Sequence, residues 1–129
     1  MRVKDLLESK KPPVTIKYTK TIQDCMRLLI DNKIGSVIIV DDEKRPIGII
    51  TERDIFHLAF RYRGDMMDMI VKDNMTSKLI IGHPDDKIDD IADLITVNKI
   101  RHVPIMEDQK LVGIVSIRDV VKARAEQLV

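Results

Sequence analysis

Gly48-x-x-Thr51-x-x-Asp54 and Gly113-x-x-Ser116-x-x-Asp119 set a glycine, a hydroxyl and a carboxylate at one spacing twice in the same chain. A hydroxyl followed three residues later by an acid is a capping box, which by itself stabilises a helix start. The acid also suits the positive end of the helix dipole. The same atoms can do recognition chemistry. The first turn of a helix exposes unpaired amides suited to phosphate or ribose oxygens, and a carboxylate there can accept both hydroxyls of a ribose diol. Glycine inside a strand pattern admits another backbone, or a flat ring, at close range. On the residues alone both readings stay open.

Other chemistry is poorly represented. His57, His83 and His102 show no metal-ligand spacing with each other or with Cys25. No glycine-rich phosphate loop, dinucleotide fingerprint or nucleophile elbow occurs, and pairs such as Asp89-Asp90 suit a solvated helix face, so no enzyme activity is expected. A single cysteine excludes an intramolecular disulfide, and its apolar neighbours predict a buried, inert thiol. A net charge of +1 and an aromatic content of 3% weigh against nucleic acid, which needs a basic field and stacking surfaces. No secretory leader and no run of about 18 apolar residues is seen, which makes the cytoplasm the expected location and a membrane partner unexpected.

The elements that would position the two junctions also come twice. Val3-Lys4-Asp5 returns as Val71-Lys72-Asp73, Asn32-Lys33-Ile34 as Asn98-Lys99-Ile100, and Val37-x-Ile39 as Val103-x-Ile105. The offset falls from 68 residues at Val3/Val71 to 66 at Asn32/Asn98 and 65 at Gly48/Gly113, a drift that marks a duplicated unit of about 60 residues. Each half alone would be marginal, so a shared core is expected from 129 residues that are 44% hydrophobic and 33% charged. In the first half, Val14-Thr15-Ile16 reads as a short strand. Ile22, Cys25, Met26, Leu29 and Ile30 follow helical spacing behind a Thr21/Asp24 capping box. Ser36 to Val40 and Pro46 to Ile50 flank a charged turn as a hairpin, and a helix runs from about Thr51 to Tyr62.

The second half predicts the same order: a strand at Leu79-Ile80-Ile81, a helix carrying Ile88, Ile91, Ala92 and Ile95, a hairpin of 103–106 with 111–115, and a helix from about Ser116 to Gln127. Met66, Met67 and Met69 suggest adaptable packing between the halves. The pattern is α/β (α+β), with two β-α-β-β-α repeats about a pseudo-twofold axis, divided as 1–62 and 63–129. Apolar helical surface left over by such small units implies a homodimer.

The repeat, ending each time in Gly-x-x-Thr/Ser-x-x-Asp, resembles the CBS domain, named for cystathionine beta-synthase, and the tandem resembles a CBS pair, or Bateman module. The resemblance runs from Val3 to Arg124. Its kin include the gamma subunit of AMP-activated protein kinase, inosine monophosphate dehydrogenase, chloride channels and magnesium transporters, in which the module binds adenosine-containing ligands and adjusts a separate domain. The resemblance therefore implies a regulatory sensor of an adenine nucleotide (AMP foremost, then ADP or ATP) that signals to an effector protein. S-adenosylmethionine or an NAD-type ligand is an alternative, as is a ligand-free dimerising scaffold.

Two clefts are implied. The first would combine Ile49, Thr51 and Asp54 with Ile80, Ile81, Arg101, His102 and Pro104: Thr51 and Asp54 on the ribose, Arg101 and His102 toward phosphate, and adenine near the backbone of Ile80 and Ile81. The second would combine Ile114, Ser116 and Asp119 with Val14, Thr15, Ile16, Gly35, Ser36 and Ile38. Gly35-Ser36 stands where the first cleft has Arg101-His102, so the second lacks that basic clamp unless Arg118 or Lys17 replaces it. Unequal sites are expected, the first favouring a phosphorylated adenosine.

Overall fold

The computed structural model describes residues 1–127; positions 128 and 129, the end of the expected second repeat, lie outside the described residues. Helix α1 spans Val3–Leu7, strand β1 Thr15–Lys17, α2 Ile22–Asn32, β2 Ser36–Val40, β3 Pro46–Thr51 and α3 Glu52–Tyr62. A 3-10 segment, Arg63–Asp68, and the short α4, Val71–Asn74, lead into α5 (Ile88–Asn98), β4 (His102–Glu107), β5 (Lys110–Ser116) and α6 (Ile117–Gln127).

Local chemistry accounts for most of these boundaries. Thr21 and Thr51 cap α2 and α3, each in a capping box with the acid three residues on. Both α2 and α5 end on a lysine, Lys33 and Lys99, in the left-handed conformation. That is the repeated Asn-Lys-Ile of the sequence acting as a helix stop. Each hairpin carries a register shift on the residue after its central isoleucine, between Ile39 and Val40 and between Ile105 and Met106.

The chain packs as two compact units that do not follow its two halves. The first unit is Val14–Leu79; the second is Met1–Pro13 together with the described residues from Ile80 onward. In the first, β1 runs parallel to β2 and β2 antiparallel to β3, over a core of Ile16, Ile22, Cys25, Leu29, Val37, Ile39, Ile50, Met66 and Val71. Met66 is buried in this core and Met67, Met69 and Met75 pack on it, so the methionine group serves the interior of the first unit. In the second, β4 and β5 cover Val3, Ile88, Ile91, Ile95, Val103, Ile105, Val115 and Val120.

Each unit thus receives its first short helix from the segment that precedes the other repeat's strands: α1 joins the second unit and α4 the first. Val3 and Val71, the first residues of the repeated Val-Lys-Asp, are each fully buried. The junction glycines explain the fit. A Cβ on Gly113 would meet Leu7 at 2.5 Å, and one on Gly48 would meet Met75 and, at 3.0 Å, the carbonyl of Thr76. The close approach they permit is filled by the leading segments, not left open for a flat ring.

One expected element is missing. Leu79-Ile80-Ile81 forms no strand; a single parallel bridge, Gly82 to Ile105, replaces it. The counterpart in the first unit is Ile16 opposite Ile39, in the middle of β1. Where β1 has a β-branched residue, the second copy has glycine with Pro84 close behind, which weakens an extended strand. Gly82 is needed there, since a Cβ would lie 2.6 Å from Ile91 Cδ1. The repeat is therefore in register one residue later than the apolar run suggests.

Candidate functional site

Both junctions are built alike. Thr51, the last residue of β3, is the N-cap of α3. Its Oγ1 accepts from the Asp54 amide at 3.2 Å, while Asp54 Oδ2 accepts from the Thr51 amide at 2.9 Å and from its hydroxyl at 3.0 Å. At the end of β5, Ser116 Oγ accepts from the Asp119 amide at 3.1 Å and Asp119 Oδ2 accepts from the Ser116 amide at 2.8 Å. All four side chains are half-buried. In each carboxylate the capping box engages only Oδ2, and Oδ1 receives no hydrogen bond from the described residues.

The hairpin places its own start beside each junction. Ser36 lies opposite Thr51 and His102 opposite Ser116. The first amide of α3, Glu52, donates to the Gly35 carbonyl at 3.0 Å, and the first amide of α6, Ile117, donates to the Arg101 carbonyl at 2.8 Å. Gly35 and Arg101 are thus equivalent, which leaves a neutral, buried Ser36 beside one junction and an exposed arginine with a half-buried histidine beside the other.

Within the first unit the structure brings Val14, Thr15, Ile16, Gly35, Ser36, Ile38, Ile49, Thr51 and Asp54 onto one small sheet and the helix that follows it. Thr15 is the strand partner of Ile38 and Ile38 of Ile49, and the Ile38 amide donates to the Val14 carbonyl at 3.2 Å. Ile49 has both backbone groups bonded to Thr76, at 3.0 Å each, so its amide is already committed as a donor. Within the second unit Pro104 is buried opposite Ile114. Ile80 and Ile81 precede the bridge at Gly82, and their backbone groups enter no hydrogen bond among the described residues.

Lys10 is the residue that sequence reasoning missed. Its ammonium donates to Asp119 Oδ2 at 2.5 Å and to the Ile114 carbonyl at 2.6 Å, in a contact 109 residues long in sequence. Burial pushes the Asp119 carboxyl upward, but Lys10 and the Ser116 amide outweigh it and hold the group below the ordinary carboxylate range. The expected substitutes do otherwise: Lys17 pairs with Asp42 at 3.1 Å, and Arg118 forms no ion pair among the described residues. A signal existed in the sequence. Ser9-Lys10 recurs as Ser77-Lys78 at the spacing of the Val-Lys-Asp repeat.

Among the described residues no group of three or more His, Cys, Asp or Glu side chains could hold a metal ion. Cys25 is buried against the first core, and burial together with the nearby Asp54 charge pushes its thiol up to about 11, unsuited to a nucleophile. No helix of the described residues is long and apolar enough to cross a membrane. Apolar side chains do remain uncovered. Ile30, Phe56 and Phe60 are 71%, 72% and 86% exposed along α2 and α3, beside a groove of 530 Å³, and Val97 and Val121 are exposed on α5 and α6.

The CBS-domain family model matches residues 3–61 and again 68–126. The chain belongs to the CBS-domain family. Its fold is similar to that of a CBS-domain containing protein from Agrobacterium tumefaciens, with 34% identity, coverage of 95% of this chain and 92% of that one, and a TM-score of 0.90. It is similar also to a Pyrobaculum aerophilum CBS domain protein complexed with AMP, with 29% identity, coverage of 99% and 96%, and a TM-score of 0.88. A third likeness is to a CBS domain pair in complex with 5-methylthioadenosine and S-adenosyl-L-methionine, at 29% identity, 98% coverage of both chains and a TM-score of 0.89. The chain spans 52–65% of the length of three curated relatives with which it shares 30–35% identity. Relatives named as enzymes are matched over only 21–22% of their length.

Proposed function

We propose that this CBS pair is a regulatory module that binds an adenosine-containing nucleotide at its junction motifs and signals occupancy to an effector protein. The observation that carries the reading is Asp54. Its half-buried carboxylate is fixed through Oδ2 by the cap, while Oδ1, at the N-terminus of an 11-residue helix, receives no hydrogen bond from the described residues. A ribose diol needs an acceptor of this kind, held in place before the ligand arrives. AMP is the preferred ligand. The AMP complex of the similar Pyrobaculum protein supports the choice. The complex of the domain pair with S-adenosyl-L-methionine makes that molecule the first competitor to test.

The reading requires no catalytic residue. A ligand shifts the module only to the extent that it binds two arrangements with different affinity. The uncovered Ile30, Phe56 and Phe60 support a homodimer as the form that carries the signal, and sedimentation that gives a monomer at micromolar concentration would remove it. Titration calorimetry with AMP, ATP, S-adenosylmethionine and NADH tests the ligand. Binding by none of them at millimolar concentration would leave a ligand-free scaffold as the better account.

A further inference from the structure

Lys10 closes the end of a segment that is anchored along its length. Val3 is fully buried, the Val3 and Lys4 amides donate to the carbonyls of Asp86 and Pro84 at 2.9 Å, and Leu7 packs on Gly113. From Lys10 the chain continues through Lys11 and Pro12-Pro13 to the point where the first unit begins. The Lys10 ammonium has two oxygen partners, and its side chain is 30% exposed against 24% for Asp119. Its counterpart in the repeat, Lys78, is exposed and makes no ion pair among the described residues, and Asp54 carries no lysine. The two junctions thus differ in one contact that only the second possesses.

We propose that Lys10 tunes the Ser116–Asp119 junction to select nucleotides over nucleosides: its ammonium draws on the carboxylate that would accept a ribose diol, and only a phosphorylated ligand offers that ammonium a new partner. The proposal rests on the junction's being a ribose site. An ammonium at hydrogen-bond distance from Asp119 Oδ2 weakens the carboxylate as an acceptor for ribose hydroxyls arriving at Oδ1. An uncharged nucleoside gives the ammonium no new partner, whereas a phosphate adds a charge-assisted hydrogen bond to it.

The test uses the full chain with the first junction disabled by Asp54→Ala, and by Asp54→Asn should the alanine variant fail to fold. Adenosine and AMP are titrated by calorimetry with Lys10 intact and with Lys10→Met, which keeps the aliphatic stem. Lys10→Met is expected to tighten adenosine about fivefold, equivalent to ~1 kcal/mol, and to narrow the preference for AMP. Unchanged or weaker adenosine binding overturns the proposal. A ligand-free arm follows the Asp119 carboxyl by carbon NMR across the acid range. Its pKa is expected to rise in Lys10→Met, and an unchanged titration shows that Lys10 does not hold Asp119. If neither ligand binds any variant while the carboxyl titration does shift, the ribose reading fails and the selector role with it, although the ion pair stands.

Discussion

Asp54 has two duties, capping α3 and holding a ribose, and its substitution by alanine or asparagine separates them. Alanine removes the Oδ2 that takes the Thr51 amide at 2.9 Å and the Thr51 hydroxyl at 3.0 Å. Losing a cap of this kind costs about 1 kcal/mol, with 2 as an upper figure. For a chain of this length each kcal/mol moves the thermal midpoint by roughly 3–6 °C. Asparagine keeps an acceptor oxygen for the Thr51 amide, so its midpoint should fall less. The ligand effect is larger. AMP at 100 times its dissociation constant adds ~2.7 kcal/mol, on the order of 10 °C. A thermal-shift series with and without millimolar AMP should therefore show a modest loss in Asp54→Ala, a smaller one in Asp54→Asn, and a much reduced AMP-induced rise in both. Asp119→Ala should lose at least as much without ligand, since it strips the cap and also leaves Lys10 half-buried without its carboxylate, yet it should retain the AMP rise. If Asp119→Ala abolishes that rise while Asp54→Ala keeps it, the assignment of the stronger site to the first junction is wrong.

Three further outcomes are expected. The depressed Asp119 carboxyl gives stability that is present above its unfolded pKa of about 3.9 and lost as pH falls through the lower folded value; midpoints measured from pH 5 to 3 should drop less steeply in Lys10→Met, and an identical slope would rule out the coupling. Cys25, fully buried with its thiol at about 11, should resist iodoacetamide at pH 8 in the folded protein and react once urea unfolds it; mass spectrometry showing rapid labelling of the native chain would contradict this. Gly48→Val would drive its Cβ into Met75 and against the Thr76 carbonyl, a destabilisation of about 1–3 kcal/mol by overpacking that urea unfolding should register and Met75→Ala should partly relieve.

The readable parts of the molecule are those in which the decisive groups sit a few residues apart. Capping boxes, helical stripes and charged hairpin turns are set by neighbours within one turn of chain, and α2, α3, α5, α6 and both hairpins lie within a residue or two of where the pattern puts them. The strand at 79–81 fails for a reason outside its own text. Its register depends on Gly82 lying against Ile91 and Ile105, residues 9 and 23 positions away, whose side chains leave no room for a Cβ. An apolar run of three cannot reveal which of its neighbours meets a partner strand.

The sequence by itself determined that the unit is doubled, that each copy ends in a hydroxyl and an acid at a helix start, and that arginine and histidine adjoin one junction where glycine and serine adjoin the other. These are facts of spacing and side-chain type. Tertiary structure alone decided which segment completes which unit, because α1 and α4 are too short to hold a helical conformation except by burying Val3 and Val71 and packing Leu7 and Met75 on a glycine. It decided the charge at Asp119 as well. A lysine on an exposed-looking N-terminal stretch becomes that carboxylate's partner only when the fold brings together positions 109 residues apart, since Coulomb attraction depends on distance in space and not along the chain.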